Sequence, residues 1–100
     1  MKQNLAHVAI VVQDYDAAIQ FYTERLHFRL VENTRLSETK RWVLVAPPGS
    51  EGCYLLLALA ANEEQRSRVG NQTGGRVFLD RKSTRLNSSH LDLSRMPSSA

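Results

Sequence analysis

Apolar residues fall into short clusters separated by turn-forming stretches. Leu5-Ala6-His7-Val8-Ala9-Ile10-Val11-Val12 is a brief, partly β-branched run and predicts a first strand, ended by Gln13-Asp14. Asp14 suits a helix N-cap, and Asp16 adds negative charge to the first turn. Ala18, Phe21, Tyr22 and Leu26 then recur at helical spacing, widened by Ile19, and predict a helix to about Leu26. Phe28 to about Leu36 reads as a second strand, and Ser37-Glu38-Thr39 as a turn. Arg41 to Ala46 reads as a third strand, stopped by Pro47-Pro48-Gly49-Ser50, since proline lacks a ladder donor. Cys53 to Ala60 has a composition that a helix also tolerates, but its length and the preceding turn favour a fourth strand. Polar Asn62 to Val69 predicts a helical turn and Gly70 to Gly75 a loop. Arg76-Val77-Phe78-Leu79 opens a fifth strand. The order is βαβββ, a connector, then β: an α+β class.

Period-two alternation in the first strand puts His7, Ala9 and Val11 on one face and Val8, Ile10 and Val12 on the other. The second set suits the helix stripe, so the first set faces away from the helix.

One hundred residues bound the chain to one domain. No apolar run reaches the length of a membrane span, and Met1-Lys2-Gln3-Asn4 is no signal peptide, so a cytoplasmic protein without a membrane partner is expected. The single cysteine, Cys53, excludes an internal disulfide and is expected to be a buried small hydrophobe. Residues 1–79 carry 9 Lys/Arg against 8 Asp/Glu, whereas residues 80–100 carry 4 against 2. Most of the basic excess thus lies in the tail. The body has no basic stripe with interleaved aromatics, which argues against nucleic acid as a partner.

At Asp80 the composition changes: six serines fall in the last 21 residues, against three in the preceding 79. Asp80 to His90 and Ser94 to Ala100 resemble, in one reading frame, the translated ends of a common short-read sequencing adapter. Leu91-Asp92-Leu93 would span the variable index. The expectation is a domain at 1–79 and an artefactual, disordered, non-native tail at 80–100, without functional residues.

Residues 1–79 resemble the first module of the glyoxalase/bleomycin resistance/dioxygenase (vicinal oxygen chelate) superfamily. The match is carried by His7-Val8-Ala9-Ile10-Val11-Val12, Asp14, Ala17-Ala18, Phe21-Tyr22, Leu26 and Phe28, then by Pro47-Pro48-Gly49 and Gly74-Gly75. The resemblance implies two βαβββ modules forming a curled sheet around a cup, with this chain truncated at the start of the second. It also implies a homodimer when full length, and a small-molecule ligand or a divalent metal (Ni, Zn or Fe) in the cup. Known activities of the family include isomerisation, ring cleavage and antibiotic sequestration, among which fold alone does not choose.

Metal-dependent members draw four ligands from the two halves. His7 matches the first position. At the second, where such members carry Glu, this chain offers Tyr54, Leu55, Leu56 or Leu57, and Glu51 only after a register shift. At the third it has Arg76, which stays protonated and cannot coordinate. A fourth would lie beyond Leu79. One imidazole does not hold a metal usefully. Arg76 is a candidate for binding a carboxylate or phosphate, and Trp42 for stacking on a ligand. Their bland alternatives are a solvated arginine and a packed core or interface residue. The leading expectation is a small-molecule binding or non-metal catalytic protein. The alternatives are a metal-dependent lyase or dioxygenase using His7, and a ligand-free dimerisation module. As given, the chain is expected to be inactive and, with unpaired sheet edges, prone to associate. One departure concerns the helix end: Leu26-His27-Phe28 stands where the family often has Leu-Gly-Phe, placing His27 where glycine suits a left-handed turn.

Overall fold

The computed structural model describes residues 1–50, 52–82 and 90–92. In chain order it contains β1 (His7–Val12), α1 (Tyr15–Gln20), a π-helical turn (Phe21–Arg25), β2 (Arg29–Arg35), β3 (Arg41–Ala46), β4 (Tyr54–Leu59), α2 (Glu63–Ser67), β5 (Asp80–Lys82) and β6 (His90–Asp92). The expected α+β, βαβββ unit is formed. Its sheet runs in the order β1-β4-β3-β2. β1 is parallel to β4, with His7 opposite Tyr54 and Val12 opposite Leu59. β3 is antiparallel to both β4 and β2. A parallel pair cannot be closed by a tight hairpin, so the chain leaves β1 through α1, which crosses one face of the sheet.

That face holds the core. Ile10 and Val12 of β1, Val43 and Val45 of β3, and Leu55 and Leu57 of β4 pack with Ala18, Tyr22 and Phe28. Ile19, Phe21 and Leu26 flank this cluster, as the helical stripe predicts. The Asp14 side chain accepts a 2.8 Å hydrogen bond from the Ala17 backbone N–H, an N-cap that typically contributes about 1 kcal/mol.

After Gln20 the helix widens by one π turn. The Leu26 N–H donates to the Phe21 carbonyl (3.3 Å) and the Phe28 N–H to the Tyr22 carbonyl (2.8 Å). Between these two donors the chain reverses at His27, whose φ is +59°. The departure seen in the sequence is therefore accommodated in place: His27 adopts the left-handed conformation that glycine would take with less strain.

The β2–β3 ladder carries a bulge between Leu30 and Glu32, which resets the side-chain alternation of β2. Between β3 and β4, Ser50 N–H closes a turn onto the Pro47 carbonyl (3.1 Å). Pro48 supplies the fixed φ of that turn, and Gly49 takes the positive φ of +76° at its second corner.

Two expectations are corrected. Arg76–Leu79 joins no ladder; the strand begins only at Asp80 and pairs with β6 in a separate two-stranded sheet. The outer edge of β1 is already engaged at its centre. The Gln72 amide accepts from Val11 N–H (3.0 Å) and donates to the Ala9 carbonyl (3.0 Å), while Phe78 and Leu79 pack against the core. Cys53 is exposed rather than buried, because β4 starts one residue later and leaves Cys53 in the turn. The expected disordered tail falls largely on residues 83–89 and 93–100, which lie outside the described residues.

Two outcomes are expected. His27→Gly should raise the unfolding free energy by about 1 kcal/mol by relieving the left-handed strain, measured by urea denaturation. The Tyr22 phenol is 1% exposed, and its burial pushes the pKa from 10.0 up to about 12. The unfolded chain therefore releases this proton first. Stability is full below the ordinary phenol value and falls as pH rises from there toward the folded value. Urea melts at successive alkaline pH values should show this loss, and Tyr22→Phe should reduce it.

Candidate functional site

The register pairs define the other face of the sheet. His7, Ala9 and Val11 of β1 lie beside Tyr54, Leu56 and Ala58 of β4. Leu56 lies beside Leu44 of β3, and alternation places Trp42 and Ala46 on the same side as Leu44. Glu32 and Thr34 of β2 complete the row, opposite Leu44 and Trp42. None of these residues belongs to the core cluster under α1. The sequence expectation that His7, Ala9 and Val11 share the face away from the helix agrees with this register.

This face is aromatic and apolar at its centre. His7, Trp42, Tyr54 and Leu56 are half-buried, and Leu44 is nearly covered. Its border on β2 is polar and exposed, and the Thr34 hydroxyl donates to Glu32 Oε2 at 3.0 Å. His7 and Trp42 reach toward one another across β4. Their ring centroids lie 5.2 Å apart with planes at 88°, an edge-to-face contact of the kind that contributes about 0.5–1.5 kcal/mol between aromatic rings. The His7 ring thus covers part of the half-buried Trp42 indole.

The sequence candidates separate here. His7 and Trp42 are brought together. Arg76 is exposed and stands in the segment after the Gly70–Gly75 loop, where its carbonyl accepts from the Thr73 hydroxyl. Its side chain makes no hydrogen bond or ion pair among the described residues. Glu32, Thr34 and Tyr54 belong to the same face as His7, though sequence reasoning did not place them there. For β2 the only signal is the interrupted alternation around Val31, whose meaning depends on recognising the bulge.

A metal does not fit the side chains present. Among the described residues, no three His, Cys, Asp or Glu side chains converge as a donor set. The imidazole of His7 has an indole as its ring neighbour and a tyrosine at its register position on β4. Glu51 lies outside the described residues. Neither an indole N–H nor a neutral phenol replaces the carboxylate or imidazole that a divalent ion needs. Among the described residues, no helix is long and apolar enough to cross a membrane.

Comparison with known proteins agrees with this architecture. Over 80 residues the chain is 58% identical to an uncharacterized protein of Shewanella frigidimarina (strain NCIMB 400), covering 79% of this chain and 59% of that protein. Over 49 residues it is 41% identical to the uncharacterized protein YurT of Bacillus subtilis (strain 168), covering 49% of this chain and 39% of YurT. The chain thus spans well under two thirds of the length of either relative. Among solved structures it is similar to UcmS2, with a TM-score of 0.61 and 31% identity over 70% of this chain and 58% of that one. It is also similar to TnmS3, an antibiotic binding protein from Streptomyces sp. CB03234, with a TM-score of 0.50 and 28% identity over 57% of this chain and 46% of that one. The model of the Glyoxalase/Bleomycin resistance protein/Dioxygenase superfamily matches residues 4–88. With that span and the βαβββ sheet, the chain belongs to the glyoxalase/bleomycin resistance protein/dioxygenase superfamily.

Proposed function

We propose that this chain supplies one wall of a cup that binds an apolar, ring-bearing small molecule, without a metal among its own contacts. The observation that carries the reading is the open sheet face opposite α1, where Trp42, Tyr54, Leu56 and the His7 ring form an aromatic and aliphatic surface. Such a surface favours ligands that bury apolar area, with a few polar groups setting orientation. Glu32 and Thr34 offer those groups at one border. The similarity to an antibiotic binding protein supports a sequestering role. In the whole protein, the remaining part and a second copy would complete the cup, in keeping with relatives that are longer than this chain.

A metal-dependent lyase or dioxygenase is the competing reading, and what favours it is the position of His7 on this same face. It requires further ligands from elsewhere in the protein, whereas the indole contact gives His7 a role that needs none.

The sole tryptophan makes the test direct. Bleomycin and a panel of fused-ring antibiotics should be titrated while Trp42 fluorescence is followed. The expected result is saturable quenching by at least one of them. Leu56→Asp, which sets a charge in the wall, should weaken that binding about tenfold or more. If no compound quenches saturably, or if Leu56→Asp leaves the affinity unchanged, the cup reading is overturned. Loss of turnover on His7→Ala in a Ni²⁺-, Zn²⁺- or Fe²⁺-supplemented assay would establish the metal reading instead.

A further inference from the structure

We propose that the helix side of the β2–β3 hairpin is a second, separate binding site, for a small oxyanion presented as a carboxylate or phosphate group. It lies on the opposite face of the sheet from Trp42.

The starting point is a register pair. Arg35 and Arg41 stand directly opposite one another in the antiparallel ladder. Like charges at such a position repel and are unfavourable unless something lies between them. Both arginines point to the α1 side: the Arg41 guanidinium lies 4.9 Å from the centroid of the Tyr15 ring, and its Nη2 donates to Asp16 Oδ1 at 2.9 Å. That ion pair answers only part of the charge, because the Asp16 side chain is 82% exposed and an exposed partner is well screened.

Donors remain at the site. The Nε–H of Arg41 is buried and is the one buried side-chain polar atom among the described residues without a hydrogen-bond partner. A buried donor left in this way is costly, but, being covered, it does not itself face the cavity, so the open donors are those of Arg35. Arg35 uses its Nε on the Ser37 carbonyl at 3.3 Å, and its two terminal amino groups make no further hydrogen bond among the described residues. Beside these groups is an open cavity of about 400 Å³, lined by Tyr15, Asn33, Arg35, Glu38, Thr39 and Arg41. Its position is held firmly. The Arg41 backbone N–H donates to the Tyr15 hydroxyl at 3.1 Å, and the Ser37 hydroxyl caps the hairpin by accepting from Thr39 and Lys40 N–H.

Planar guanidinium forks match the two oxygens of a carboxylate or the face of a phosphate. Asn33 and Thr39 add neutral hydrogen-bonding groups. Glu38 is the acid in the lining, and with Asp16 paired to Arg41 the two arginines are balanced by two acids, so the terminal amino groups of Arg35 rather than a net positive field would hold the anion. The site therefore prefers a singly charged oxyanion to a polyanion. Nothing in the proposed cup uses these residues, so the two readings stand or fall apart.

The test is an NMR titration of the full chain, following amide and guanidinium N–H signals. Sodium acetate and sodium phosphate are the probes, with sodium chloride at matched ionic strength as the control. The expected result is saturable shifts centred on Arg35, Thr39 and Arg41 with acetate or phosphate, and none with chloride. Which of the two binds more tightly distinguishes a carboxylate ligand from a phosphate one. Arg35→Gln should weaken binding about tenfold without lowering the melting temperature, since Arg35 is exposed and its removal relieves the repulsion with Arg41. Glu38→Gln should tighten it about threefold. Shifts that grow linearly and equally with chloride, or an affinity indifferent to Arg35→Gln, would overturn the site.

Discussion

The parallel pairing of β1 with β4 is the constraint from which the rest follows. A chain that must return in the same direction has to cross over, and here the crossover is α1 with its π-wound extension. The helix can cover only one side of a four-stranded sheet. It takes the side bearing Ile10, Val12, Val43, Val45, Leu55 and Leu57 and excludes water from it. The opposite side has no such cover from α1, and it is the side on which the proposed cup would open. Sealing and exposure are thus one event: the residues buried under α1 and those on the uncovered face alternate along the same strands.

The same alternation explains why a lone imidazole gains a structural partner. His7 opens β1 on the uncovered side, and the Trp42 ring, from a strand two places away, meets it edge-on. The ring has an indole as its neighbour and a tyrosine at its register position on β4. At a position that the family resemblance associates with coordination, the imidazole here meets an indole edge-on. The hairpin between β2 and β3 shows the complementary case. There, strand pairing sets two cations side by side, and the helix answers one of them with Asp16 and the π-face of Tyr15.

Much of this is legible in the amino-acid sequence alone. The β-branched run at residues 7–12 marked β1, the 18/21/22/26 stripe marked the helix face, and Asp14 acts as the cap its position suggested. His27 was visible as an anomaly because glycine is the residue that reverses a helix end without strain, and its φ bears this out. What stayed hidden depends on long-range register. The bulge at Val31 inserts a residue, so Glu32 and Thr34 reach the open face by a rule that local alternation does not contain. The Arg35–Arg41 opposition exists only once the hairpin is closed. Cys53 looked like part of an apolar strand, yet the strand starts one residue after it, and apolar composition marks such a boundary poorly. Arg76–Leu79 joins no ladder, while a side-chain contact from the loop just before it occupies part of the β1 edge.

That contact is the Gln72 amide, which lies along β1 like a single peptide unit. One carboxamide satisfies one N–H and one C=O of an otherwise available edge, 61 and 63 residues away in sequence. It imitates the neighbour a growing sheet would have at that point but offers no continuation beyond it. An incoming strand would have to dislodge the glutamine before it could dock, exchanging two hydrogen bonds for two others at the same atoms. At Ala9 and Val11, then, this side of β1 has its hydrogen bonds already made from within the chain.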